Sequence, residues 1–199
     1  MTETTERVPK GTGTREKILD TVTELFVQNG YHGTGVQEIG KAVNLGRGAL
    51  YHHIGSKEQI LFEISMSLLQ LALDATLPYV ETDDPSDVKL RNISRALLRH
   101  HAEHGDGWQV AIRESRFLSP EHQAEVRDSR QRFEQIWHDV LGAGAREGLW
   151  RPVDDLDVRA VLGMFNYTAR WMRPDGPVPP EEIADRYVAL ILDGLRDRP

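Results

Sequence analysis

The 199-residue chain contains no cysteine. That removes disulfides and thiolate metal sites from consideration. It also lacks any uninterrupted apolar run of about 18 residues, the length a helix needs to span a bilayer, so no membrane partner is expected. Its first residues, MTETTERVPKGTGTREK, lack the apolar core of a secretory signal, and a cytoplasmic location is the expectation. Alternating polar and apolar stretches of strand length are missing, as are internal repeats and low-complexity segments. An excess of positive charge is missing too. The net charge is −7, which taken whole argues against nucleic acid. Dividing the chain changes that reading. Residues 1–57 carry seven Lys/Arg against six Asp/Glu, and the remainder 17 against 25. The acidity sits in the second part, and any DNA affinity in the first depends on local placement of basic groups.

What is present is helical periodicity. Over residues 14–29, Ile18, Leu19, Val22, Leu25 and Phe26 share one face, and Asn29–Gly30 stops that helix. Thr34 can cap a short second helix carrying Val36, Ile39 and Val43. Asn44 breaks it, and a third short helix covers 46–53. Gly55–Ser56 ends this unit. Ser56 can cap a long helix with Leu61, Ile64, Leu68 and Leu71, ending at a break around Pro78 and ETDDPSD. Ser86 or Asp87 starts a helix through about His104, HGDG reads as a turn, and a shorter helix spans about 107–117. Ser119 caps a helix that begins at Pro120 and stops before Gly148. Residues 154–172 and 180–196 make the last two helices. The fold class is all-α: a three-helix head, 1–56, with residues 1–12 as a disordered arm, then a larger helical domain, 57–199.

The stretch TGVQEIGKAVNLGRGALYHHIGSKEQI, residues 34–60, carries the chemistry. Two short helices joined by VNLG have the proportions of a helix-turn-helix, whose second helix enters the major groove. Gly46, Gly48 and Ala49 leave that helix flat, so it can approach base edges. Arg47 is the one long polar side chain at its front. An arginine can donate two hydrogen bonds to guanine, worth about 1–3 kcal/mol of discrimination. Gln37, Tyr51, His52 and Lys57 suit DNA contact at the margins, and Thr34 with the N–H groups after it offers a phosphate site at a helix N-terminus. Leu50 and Ile54, at i and i+4, read as core, and His53 as a packed histidine.

The pattern Thr34, Ile39, Leu45, Gly48, Leu50–Tyr51, His53 and Ser56–Lys57–Glu58 resembles the DNA-binding domain of TetR-family transcriptional regulators. The likeness covers residues 14–60 in order and spacing, and the helical remainder extends it loosely to the whole chain. It implies a homodimer, a double-stranded, palindromic DNA operator and a small-molecule effector. Three positions depart from the family. Gly40 replaces alanine, at about 0.5–1 kcal/mol of helix propensity. Asn44 stands where glycine is usual, and tolerates the left-handed conformation next best. Gly46 replaces a serine or threonine, so the family's hydroxyl contact to phosphate does not carry over.

In the second part, Trp108, Trp137 and Trp171 accompany Arg113, Phe117, Phe165, Asn166 and Arg170. Aromatics with a few placed polar groups suit an apolar ligand with a polar or anionic part. The same residues would serve equally as core aromatics and surface arginines. The last two helices are apolar on more than one face, and Val158, Leu162, Phe165, Ile183, Tyr187, Leu190 and Ile191 are the expected dimer surface. YTARWMRPDGP resembles the C-terminal part of an actinobacterial subgroup of these regulators that controls lipid and steroid catabolism and answers to acyl-CoA esters. That points to an acyl-CoA or other lipid-derived effector. RHHAEH places His100 and His104 at i, i+4, but without the intervening glutamate of HExxH or further ligands. No metal and no cofactor is expected.

The reading is therefore a ligand-responsive regulator that is not an enzyme, a repressor released from its operator by a small molecule. The competing readings are an all-helical enzyme using His100, His101 and His104, and an interaction module with a non-functional head.

Overall fold

The computed structural model describes residues 12–173 and 175–196. The expected N-terminal arm falls, but for Thr12, outside the described residues. All elements described are helical: α1 (Thr12–Gly33), α2 (Val36–Ala42), α3 (Arg47–Ile54), α4 (Lys57–Val80), α5 (Ser86–Glu103), α6 (Gly105–Glu114), a 3-10 turn (Ser115–Phe117), α7 (Pro120–Arg146), α8 (Asp155–Thr168) and α9 (Pro180–Leu195).

The head closes on the stripe that periodicity predicts. Ile18, Val22 and Phe26 of α1 are buried with Ile39 of α2 and Leu50 and Ile54 of α3. Gly30 (φ 73°) breaks the helical path of α1 near its end. The turn between α2 and α3 runs through Asn44 in the left-handed region (φ 53°), and the Leu45 N–H donates back to the Gly40 carbonyl (2.8 Å). A Cβ on Gly40 would stand 3.0 Å from the Leu45 carbonyl oxygen. The glycine that looked like a loss of helix propensity is what lets the turn fold tightly over α2.

The body is built around α4. Ser56 Oγ accepts from the Gln59 N–H (2.9 Å) at its start. An 18-residue window of α4 has a mean hydropathy of 1.5, sufficient by length and composition to cross a membrane. It is instead the central core helix. Ile60, Leu61, Ile64, Leu68, Leu69 and Ala72 are buried, and α5, α6 and α7 pack around it. Around α5, α9 adds its Ile183, Ala184, Val188, Ile191 and Leu195 stripe, tied by Arg95 to Asp185 (2.6 and 2.8 Å). At the far end Trp150 donates its indole N–H to the Leu141 carbonyl (2.8 Å). Its ring lies so close to Gly144 that a Cβ there would be 1.9 Å from it.

Boundaries shift in three places. Pro78 lies inside α4, which runs to Val80; near a helix end a proline sacrifices a single internal hydrogen bond. HGDG is no free turn, because Gly105–Gly107 form the first turn of α6. The helix expected over 154–172 ends at Thr168, so Arg170 and Trp171 sit in the turn after it.

Candidate nucleic-acid interface and effector cleft

The head presents one exposed surface from α2 and α3. Gln37, Gly46, Arg47, Gly48, Ala49, Tyr51 and His52 are all exposed. The Arg47 guanidinium lies over the Tyr51 ring, 5.8 Å from its centroid. A groove of about 640 Å³ runs between the two helices, lined among others by Gln37, Lys41, Asn44, Gly46, Arg47 and Tyr51. Among the described residues nothing lies within 4 Å of a Cβ built on Gly46 or Gly48. The fold itself therefore does not demand small residues there. Lys41, four residues after Gln37 on the same face of α2, was missed from sequence; the i, i+4 spacing was the available signal.

Two expected DNA contacts are placed differently. Thr34 is completely buried, and its hydroxyl donates to the Gly30 carbonyl (2.9 Å) with the Leu25 carbonyl at 3.2 Å. Its side chain closes the bend at Gly30 and is withdrawn from phosphate. Gly35 takes the cap position of α2, and its N–H donates to the Glu38 carboxylate (3.3 Å). Lys57 also turns inward. Its ammonium donates to the Tyr31 (2.8 Å) and Thr34 (3.0 Å) carbonyls and sits 4.3 Å above the Tyr31 ring. Burial lowers its pKa and raises that of Tyr31, the latter reinforced by the Glu58 charge.

Lys57 is one of several clips joining head to body. Arg15 of α1 binds both the His53 carbonyl and the Glu63 carboxylate. Arg113 donates to the Phe26 carbonyl (3.0 Å) and to the buried Glu114 (2.7 Å). Phe117 stacks on Tyr31 at 5.2 Å. Glu58, one residue past Lys57, accepts from the Ser119 N–H and from His122 Nδ1, both at 2.8 Å. The first turn of α4 thus holds the head on one side and the start of α7 on the other. Arg113 and Phe117, expected in a ligand pocket, belong to this junction.

The large cleft lies between α1 and α4, floored by α6 and the segment after α8. Its volume is about 1480 Å³. Leu19 and Thr23 of α1 face Ile64, Leu68 and Leu71 of α4 across it, with His104, Gly105, Gly107 and Gln109 along α6. Its carboxylates come from α1 (Glu16, Asp20, Glu24) and the α5–α6 corner (Glu103, Asp106), and its arginines, Arg170 and Arg173, from the segment after α8. Of the expected ligand residues, Arg170 and Trp171 line this cleft. Trp137 and Phe165 pack together in the core (centroids 5.1 Å apart), Trp108 lies behind the cleft wall, and Asn166 is exposed on α8.

The histidines divide as well. His100 and His101 are buried. His100 Nε2 donates to the Leu68 carbonyl (3.2 Å) and His101 Nδ1 to the Thr168 hydroxyl (3.1 Å), which itself donates to the Phe165 carbonyl. Burial, aided by the neighbouring histidines, lowers their pKa values to about 4 and about 3. They are neutral core groups held in fixed tautomers, while His104 lines the cleft.

The expected dimer surface needs correcting. Val158, Leu162, Phe165, Ile183 and Ile191 are buried in the chain's own core, and Tyr187 is half-buried beside the Phe165 ring. Leu190 alone stays well exposed, at 62%. On α9 the core takes residues from both apolar stripes, Ile183 and Ile191 from one and Val188 and Leu195 from the other. The outward stripe is Leu156, Ala160, Gly163 and Tyr167 on α8, with Leu190 and Gly194 on α9.

Comparison with known proteins settles the family. Residues 18–64 match the model of "Bacterial regulatory proteins, tetR family", and residues 83–195 match "Tetracyclin repressor-like, C-terminal domain". The chain belongs to the TetR family. It is a ligand-responsive, DNA-binding regulator of transcription, whose partners are operator DNA, a small-molecule effector and a second copy of itself. The transcriptional repressor KstR2 of Mycolicibacterium smegmatis is 30% identical over 189 residues, covering 91% of this chain and 90% of that protein. The regulator PfmR of Thermus thermophilus superposes with a TM-score of 0.84 at 39% identity, over 91% of this chain and all of the other. AibR, solved with isovaleryl coenzyme A and operator DNA, superposes with a TM-score of 0.79 at 28% identity, over 89% and 97%.

Proposed function

We propose that this TetR-family member is a repressor whose head reads its operator through Arg47 and which an acyl-CoA thioester releases. The observation that carries the release step is the position of the cleft. Its two long walls are α1, the first helix of the head, and α4, the helix that leaves it. An occupant there bears on head and body at once. The cleft is larger than most drug-sized pockets, which run to about 1,000 Å³. Its apolar walls suit an acyl chain, and Arg170 and Arg173 supply one cationic end for the phosphates of coenzyme A. The bound acyl-CoA of AibR and the steroid- and lipid-linked subgroup resemblance point the same way.

The head contacts are assigned by exposure. Arg47 reads a guanine, Tyr51 steadies it, Gln37, Lys41 and His52 meet the backbone, and the Gly46–Gly48–Ala49 surface lets α3 seat deeply. A dimer places two such helices about 34 Å apart in successive major grooves. The outward faces of α8 and α9, around Leu156, Gly163, Tyr167 and Leu190, form the contact between copies. Opening the cleft shifts α1 against α4, changes the spacing of the heads and opposes DNA binding by a coupling of about 1–3 kcal/mol. The protein acts in the cytoplasm, without a catalytic role.

The test is a fluorescence-polarisation titration of the protein on a labelled fragment from upstream of its own gene. Polarisation should fall on adding micromolar acyl-CoA thioesters, with free coenzyme A as the control. Undiminished polarisation across short-, medium- and long-chain thioesters would sink the ligand assignment.

A further inference from the structure

Two buried side-chain nitrogens have no hydrogen-bond partner among the described residues: Nε1 of Trp108 and Nε1 of Trp137. An indole N–H usually finds an acceptor when buried, and leaving one without costs about 1–3 kcal/mol. The chain has the means to satisfy such a group, since Trp150, equally buried, donates to a main-chain carbonyl. Trp108 differs from Trp137 in its surroundings. Four α6 residues beside it in sequence, Gly105, Asp106, Gly107 and Gln109, all line the effector cleft. Trp108 is the member of that run turned inward, 8% exposed. Its ring meets those of His100 (5.7 Å) and His101 (5.2 Å) edge to face, and the His100 ring in turn lies 4.7 Å from that of His104, on the cleft wall.

What closes the cleft here is soft. Leu68 and Gly107 both line the cleft, and Leu68 is the side chain standing over Gly107, with a methyl 3.1 Å from where a Cβ would stand. The nearby histidines do not satisfy the indole: each uses one ring nitrogen on Leu68 or Thr168, and neither offers its other ring nitrogen to the indole N–H within hydrogen-bonding geometry. Both stay neutral at physiological pH, so no imidazolium competes for an incoming acceptor.

We infer that Trp108 is the donor of an acceptor-recognition subsite behind the cleft, its indole N–H receiving the carbonyl oxygen of the effector once Leu68 swings off Gly107. This rests on the acyl-CoA reading above for the identity of the effector. The thioester carbonyl is the acceptor that lies where acyl chain meets pantetheine, at the junction of apolar and polar parts. The subsite makes the regulator sense the carbonyl as well as the chain. Free coenzyme A lacks that carbonyl and leaves the donor unmet.

The experiment uses full-length protein labelled with 15N-tryptophan, with isovaleryl-CoA and palmitoyl-CoA as probes and free coenzyme A as control. The Trp108 indole resonance, assigned from its loss in Trp108→Phe, should move on adding thioester and stay put with coenzyme A. Trp137→Phe is the control variant, since its α7 neighbours do not line the cleft. In the operator-release titration Trp108→Phe should need about tenfold more thioester, and Trp137→Phe the same amount as the parent. If the resonance moves while the operator complex survives, the subsite stands and the proposed release falls. If release occurs with a stationary resonance, or with equal midpoints for Trp108→Phe and the parent, the subsite is overturned and the release reading survives. If neither occurs, both fall.

Discussion

Gly144 in the body and the pair Gly46 and Gly48 on the head's exposed helix are small for opposite reasons. In the body, Gly144 is demanded from inside: the Trp150 ring occupies the space a Cβ would need. In the head, no described residue comes within 4 Å of a Cβ built on Gly46 or Gly48, which leaves their smallness to be explained by a partner. The same contrast runs through the polar groups. The body buries His100, His101, Ser94 and Thr76 and gives each a fixed role in its core. The head exposes Arg47, Tyr51 and His52, and joins the body through the packing of α1 on α6 and α4 and through polar clips. A region shaped by its own packing is a scaffold, and one shaped against open space is an interface.

Acidification should strain the body most. Unfolded, His100 and His101 take up protons near pH 6.5, whereas folded they resist until about 4 and about 3. Their contribution to stability is complete above about pH 6.5 and drains away as pH falls towards 3. At about 1.4 kcal/mol per unit it amounts to several kcal/mol for the pair. Urea midpoints measured between pH 7.5 and 4.5 should fall steeply, and the double variant His100→Gln/His101→Asn should flatten the slope.

Gly144→Ala comes next, with about 3 kcal/mol lost to overpacking against Trp150, read as a drop in thermal midpoint. A midpoint unchanged within a degree would show that the ring can step aside and that the body is less tightly specified than the comparison holds. Arg47→Ala should leave the melt alone and cost about 1–3 kcal/mol of specific operator binding. A binding-site selection should then show relaxed choice at one position per half-site.

Smaller still is Lys57→Met, which keeps much of the chain length but deletes two hydrogen bonds to the head. A loss of about 1–2 kcal/mol is expected, with operator affinity falling and becoming less sensitive to effector. The smallest change in stability belongs to Gly48→Ala, within about 0.5 kcal/mol. Its operator affinity should nevertheless fall, because a methyl intrudes where α3 meets DNA. Equal operator affinity for Gly48→Ala would remove the external demand from the head.

Much of this was legible in the residues. Ser56, Ser119 and Gly148 end or start helices where their chemistry says they should, and the α1 stripe is the head's core. The motif from residue 34 to 60 pointed to the exposed face of α2 and α3 because its outward positions are too small and too polar for core. What escaped were questions of direction. Thr34 and Lys57 have the right chemistry for phosphate, yet their donors point to carbonyls released by the bend at Gly30. The apolar residues of α8 and α9 were visible, but how many of them the chain's own α5 and α7 would cover is set by tertiary packing, which local pattern does not encode. The cleft was half-seen for a related reason. Arg170 and Trp171 were found as neighbours in sequence, whereas Leu19, Ile64 and Gln109 meet them through tertiary packing alone.

Three of the clips that steady the head, from Arg15, Lys57 and Arg113, end on main-chain oxygens: those of His53, Tyr31, Thr34 and Phe26. A carbonyl survives any substitution of the side chain that follows it. The exposed vocabulary of α2 and α3 is therefore free to drift, codon by codon, towards a new operator while these contacts stay intact. Grafting the surface residues of another member's α3 onto this chain should transfer the foreign operator preference and retain the native effector response.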